Sequence, residues 1–157
     1  MKRTNELKHF AYAFLIALIG YFAFYACDAH LRQRHGPWRV TFAKDDEGNP
    51  SLVINDPRLN ITGVRIVFVG ERAALTNAPA EVVFDRPLQP VPFGKVIFEE
   101  LMWLPGTVTL DLFGHEVQLL PRVLTINRKE FAWRTGAEFR LTATDKLPPE
   151  MLRPPKR

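Results

Sequence analysis

Along this chain an apolar block gives way to an alternation. Phe10 to Cys27 is a run of eighteen residues without a formal charge. A helix of that length rises about 27 Å, close to a hydrocarbon core of roughly 30 Å, so the run predicts a transmembrane helix over residues 10–27. Tyr12 near one end and Tyr21 and Tyr25 near the other suit the headgroup levels, where amphipathic rings collect. From Pro37 onward the period becomes two. Trp38, Val40 and Phe42 alternate with Arg39 and Thr41, the signature of a strand with one buried face. Further strands are predicted at residues 51–55, 64–69, 81–84, 95–98, 122–127 and 138–143. Residues 45–50 (DDEGNP) form a loop between the first two, and Pro79, Pro87, Pro90 and Pro92 punctuate the later gaps.

The sharpest local expectation is a hairpin in residues 107–120 (TVTLDLFGHEVQLL). A two-residue loop at Gly114-His115, of type II′ with glycine first, pairs Phe113 with Glu116, Leu112 with Val117, Asp111 with Gln118 and Leu110 with Leu119. Apolar then meets apolar on one face and polar meets polar on the other, which specifies the register. With about eight or nine short antiparallel strands at this spacing, the domain reads as all-β, a small β-sandwich or jelly-roll-like fold, preceded by one N-terminal transmembrane helix. The expected organisation is a basic N-terminus (1–9), a transmembrane signal anchor (10–27), a polar spacer (28–36), the β domain (37–145) and a Pro-rich basic tail (146–157), extended and mobile.

Composition sharpens the anchor reading. No small-x-small cleavage site follows the apolar run, which favours an uncleaved anchor over a removed secretory peptide. Ala26-Cys27-Asp28 resembles the end of a bacterial lipobox with an acidic retention residue, but Phe24 and Tyr25 depart from its usual Leu and small residue. Lys2, Arg3 and Lys8 precede the span; Arg32, Arg34, Arg39 and Lys44 follow it, and Asp28 dilutes them. The compressed basic cluster favours a cytoplasmic N-terminus, so the β domain is expected to be extracytoplasmic, periplasmic in a Gram-negative cell. Beyond residue 27 the chain carries 18 Lys plus Arg against 16 Asp plus Glu, and residues 28–145 alone carry 14 against 15. The basic excess belongs to the two ends, so no nucleic-acid-binding face is expected. One cysteine excludes an intrachain disulfide.

Chemical motifs are sparse. His115-Glu116 lacks the second histidine four positions on that a zinc-protease helix needs, and reads as a turn histidine beside a solvent-facing glutamate. His30 and His35 have no third ligand in sequence; Asp45, Asp46, Glu47 and Asn49 lack calcium-loop spacing. Ser51 has no G-x-S-x-G setting, Cys27 lies at the membrane boundary, Glu99 and Glu100 point to opposite faces of a strand, and there is no glycine-rich phosphate loop. No catalytic residue, cofactor or metal is therefore assigned. Recognition has better candidates. Met102, Trp103 and Leu104 precede a Pro-Gly turn, with Phe93 just before the same strand, and these residue types are enriched at interfaces. In the membrane helix, Ala13, Ala17, Gly20 and Cys27 fall on one stripe, which suits contact with another helix or a homodimer. The expected function is a single-pass, membrane-anchored binding or structural accessory subunit of the cell envelope, holding a protein, glycan or cell-wall component near the membrane. The alternatives are a lipoprotein with the same domain, or a small envelope hydrolase whose site is assembled from scattered residues.

Overall fold

Helical hydrogen bonding runs past the apolar segment in both directions. In the computed structural model, which describes residues 2–73 and 80–152, helix α1 spans Lys2–Gln33. The expected spacer at 28–36 is thus helical over most of its length. Arg32 Nε lies 2.8 Å from the Asp28 carboxylate one turn back, an i, i+4 pair that favours continuation of the helix. Gly36, at φ 68°, and Pro37 then stop it. The stretch Glu6–Gln33 is long and apolar enough to cross a membrane, and none of its apolar window is buried within the chain.

The chain divides into two compact units, Met1–Arg34 and His35–Arg157. The second holds ten strands among the described residues: β1 (Trp38–Lys44), β2 (Pro50–Asp56), β3 (Ile61–Phe68), β4 (Ala80–Phe84), β5 (Lys95–Glu100), β6 (Thr107–Leu112), β7 (His115–Leu119), β8 (Val123–Ile126), β9 (Lys129–Ala132) and β10 (Glu138–Leu141). They form two five-stranded sheets, in the orders β10-β3-β2-β1-β4 and β5-β6-β7-β8-β9. One apolar cluster draws on both, with Trp38, Phe42 and Ile66 from the first and Leu110, Val117 and Leu124 from the second. Alternation produces this directly: Trp38, Val40 and Phe42 are all fully buried.

The expected all-antiparallel set of eight or nine strands needs two corrections. β10 runs parallel to β3, with Phe139 opposite Ile66, because the chain crosses from the second sheet to the first after β9. β9 itself is an addition. Asn127 and Arg128, at φ 48° and 66°, make a two-residue turn that sets Lys129 opposite Ile126, and positive φ at both positions marks a type I′ hairpin. The first hairpin loop is where residues 45–50 place it. Asp45 accepts from the backbone N–H of Glu47 (3.0 Å) and of Asn49 (2.7 Å), and Gly48 takes φ 83°.

The hairpin of β6 and β7 forms with its turn one residue earlier than expected. Phe113 and Gly114, at φ 55° and 83°, are the loop residues, and the pairs are Leu112 with His115, Asp111 with Glu116 and Leu110 with Val117. Each partner shifts by two positions, so the buried face keeps its residues and gains His115. Asp111 helps to place the turn by accepting from the Gly114 N–H at 3.2 Å. The tail makes hydrogen bonds to the β unit as far as Met151: Leu147 N–H donates to the Gly114 carbonyl (3.0 Å) and Arg128 to the Met151 carbonyl (2.9 Å). Residues 153–157 of that tail, and Pro79, lie outside the described residues.

Candidate functional site

Among the described residues β5 ends its sheet, with a ladder partner, β6, on one side only. Two glycines fix its surroundings. Gly94, at φ 81°, passes so close to the Asp111 carbonyl that an added Cβ would strike it, and Gly106, at φ 70°, stands in the same relation to the Glu100 carbonyl. Only glycine combines this φ with so near an approach of two backbones. Between Glu100 and Gly106 the chain folds outward. Trp38 Nε1 donates to the Gly106 carbonyl at 3.1 Å, tying the base of this loop to the core. Met102 N–H donates to the Glu100 carboxylate at 2.8 Å, and the Leu104–Pro105 peptide is cis. On the approach to β5, the Leu88 N–H donates to the Glu99 carboxylate.

This framework leaves Leu88 (88%), Phe98 (51%), Met102 (58%) and Trp103 (47%) exposed. Apart from Met151, they are all of the large exposed apolar side chains in the described β unit. They lie on β5 and on the two loops reaching its ends. Of the four residues expected to form a partner surface, Met102 and Trp103 are exposed and Leu104 is half-buried. Phe93 is not on the surface. It packs in the core, with ring centroids 5.0 Å from Phe42, 6.1 Å from Phe68 and 5.1 Å from Phe113. Leu88 and Phe98 join the surface in its place. Phe98 belongs to the apolar run Val96-Ile97-Phe98, whose facing the sequence leaves open; the bulge between Val96 and Phe98 turns it outward. On α1, Ala13, Ala17 and Cys27 are exposed and an added Cβ on Gly20 would meet nothing.

His115 is fully buried, contrary to the expected turn position. Its neighbour Asn127 decides its protonation. The Asn127 side-chain oxygen accepts from the Glu116 N–H at 3.0 Å, and its Nδ2 donates to the Asp145 carbonyl at 2.7 Å. That fixes the amide orientation and aims the second Nδ2 hydrogen at His115 Nδ1, 3.1 Å away. Nδ1 is therefore the acceptor and Nε2 carries the proton; the imidazole and Phe68 ring centroids lie 5.8 Å apart. Burial, with the Lys146 ammonium, pushes the His115 pKa below its usual 6.5. A neutral imidazole so enclosed reaches no substrate; it is a packing residue.

Asp45 and Asp56 serve their own turns. Both Asp45 oxygens accept hydrogen bonds within their own loop, the second from Asn49 Nδ2 at 3.1 Å. Asp56 is buried and accepts from the Arg58 and Leu59 N–H groups at 3.0 and 3.2 Å, capping a short turn, with burial raising its pKa. An open cleft of about 620 Å³ lies between β9 and β10, and no histidine, cysteine or serine lines it. Among the described residues, no group of three or more His, Cys, Asp or Glu is placed to hold a metal ion. No family model, curated protein or solved structure matches the chain.

Proposed function

We propose that this chain is a single-pass, membrane-anchored accessory protein of the cell envelope, whose extracytoplasmic β-sandwich holds a protein partner at the membrane through β5 and its flanking loops. The observation that carries this reading is the gathering of Leu88, Phe98, Met102 and Trp103 at one sheet edge. Scattered apolar side chains are ordinary on a surface, whereas a contiguous group marks an interaction site. An open strand edge adds backbone donors and acceptors, which favour a polypeptide over a glycan. The basic N-terminus then stays in the cytoplasm, and Glu6–Gln33 supplies the tether.

A photo-crosslinking amino acid at Met102, in cells expressing the full chain, should give discrete protein adducts. The same group at Arg122, on the far side of the sheet order, should give few. Equal, diffuse labelling at both positions would remove this surface from consideration. The tether has its own test. Carbonate washing should leave the full chain in the membrane pellet, and Leu15→Arg combined with Ile19→Arg should release most of it, because two central arginines cost about 5–7 kcal/mol of insertion. Release of the unaltered chain by carbonate would contradict the anchor.

A further inference from the structure

The open edge of β5 carries its own complement. Lys95-Val96-Ile97-Phe98-Glu99-Glu100 puts a cation at one end, carboxylates at the other and three apolar residues between them. Ile97 is the extra residue of the bulge, so the ladder positions of β5 are Lys95, Val96, Phe98, Glu99 and Glu100. Two such strands laid antiparallel about a two-fold axis at Phe98 set each Lys95 opposite the other's Glu100 and Phe98 opposite its copy. Laid parallel in register, they set like charge against like. An edge lysine ordinarily blocks pairing between sheets; here the far end of the same strand supplies its counter-charge. Lys95 pairs with Asp111 at 3.5 Å, yet its side chain is 67% exposed, so its ammonium can also meet a carboxylate across the edge. Glu99 is less suited to that role, because its carboxylate is half-buried and already accepts from Leu88.

We infer that the partner seated on β5 is a second copy of this chain, joined edge to edge by antiparallel β5 strands about a two-fold axis. This rests on the reading of that corner as a docking surface and names its occupant. The exposed Phe98 side chains meet near the axis, and Met102 and Trp103 of each copy reach over the junction. Confinement of both copies to one membrane raises their effective concentration, so a short apolar edge suffices.

Charge reversal tests this in the full chain. Copies labelled at Arg122→Cys in a Cys27→Ser background, reconstituted in neutral phosphatidylcholine vesicles, report pairing by energy transfer. Lys95→Glu alone and Glu100→Lys alone each place like charges opposite at two symmetric positions and should weaken pairing roughly tenfold. Mixing the two variants should restore it, because both carboxylates of one copy, at positions 95 and 100, then face the two ammonium groups of the other. The double variant should pair with itself as the parent does. Unchanged tryptophan emission shows that the variants are folded. Folded single variants that pair as the parent does, or a mixture without recovery, overturn the inference. Adducts at Met102 of a mass other than twice the chain would also overturn it while leaving the docking surface intact; the absence of any adduct removes both.

Discussion

Gly106→Ala should cost the β unit on the order of 3–5 kcal/mol, a large share of the stability of a domain this size. Two causes add. A β-carbon is strained at φ 70°, and this one would run into the Glu100 carbonyl, which is backbone and cannot swing aside. The loop must lift, and the hydrogen bond from Trp38 to the Gly106 carbonyl goes with it. All three tryptophans, Trp38, Trp103 and Trp133, lie in the β unit, so fluorescence during urea unfolding of the detergent-solubilised full chain reads that unit alone. Gly48→Ala is the control: its φ of 83° is similar but nothing lies near the added carbon, so only the backbone strain is felt. Equal losses in the two variants would show that the close approach does not matter.

His115→Ala should cost about 2–4 kcal/mol, because a fully buried ring beside Phe68 leaves a cavity and Asn127 loses an acceptor. The parent should also weaken in mild acid. Its folded pKa lies below 6.5, while the unfolded chain titrates near 6.5. Between those values the unfolded state binds more protons, so stability is fully present above pH 6.5 and is lost as pH falls towards the folded value. The slope approaches about 1.4 kcal/mol per pH unit. Asp145, held below 3.8 by the Thr142 backbone and side-chain donors, contributes the same sign of change only in stronger acid. His115→Phe should retain most of the packing and flatten the response between pH 7.5 and 5.5. An unaltered slope in that variant would assign the acid sensitivity to other groups.

Most of the strands were legible because alternation is a backbone property. Trp38-Val40-Phe42 and Leu110-Leu112-Val117 show which face is buried, whatever lies opposite. What alternation could not convey was where a turn closes. Phe113 accepts the left-handed conformation because its ring packs against Phe93 and Phe68, a tertiary contact that overrides the local preference for a glycine-first loop. That shift of one position moved His115 from the rim to the core. β9 gives no strand signal in the sequence because it is short and mostly exposed, with one half-buried phenylalanine, Phe131, that meets Phe139 at 4.9 Å. For the candidate surface, Met102 and Trp103 could be singled out by residue type, whereas Phe98 needed the bulge, and Phe93 needed the core, to be placed correctly.

The parallel pairing of β10 with β3 has a consequence for the order of synthesis. Every neighbour in the second sheet is also a neighbour in sequence, so that sheet closes through local hairpins as it is made. The first sheet waits: the flank of β3 beside Val64–Phe68 is covered only when Glu138–Leu141 arrives, some seventy residues later. A chain cut short before β10 would keep both α1 and its second sheet and would present the raw edge of β3 to its neighbours. Truncated products should therefore associate through that edge more strongly than the completed chain, a difference that sedimentation of detergent-solubilised protein would read.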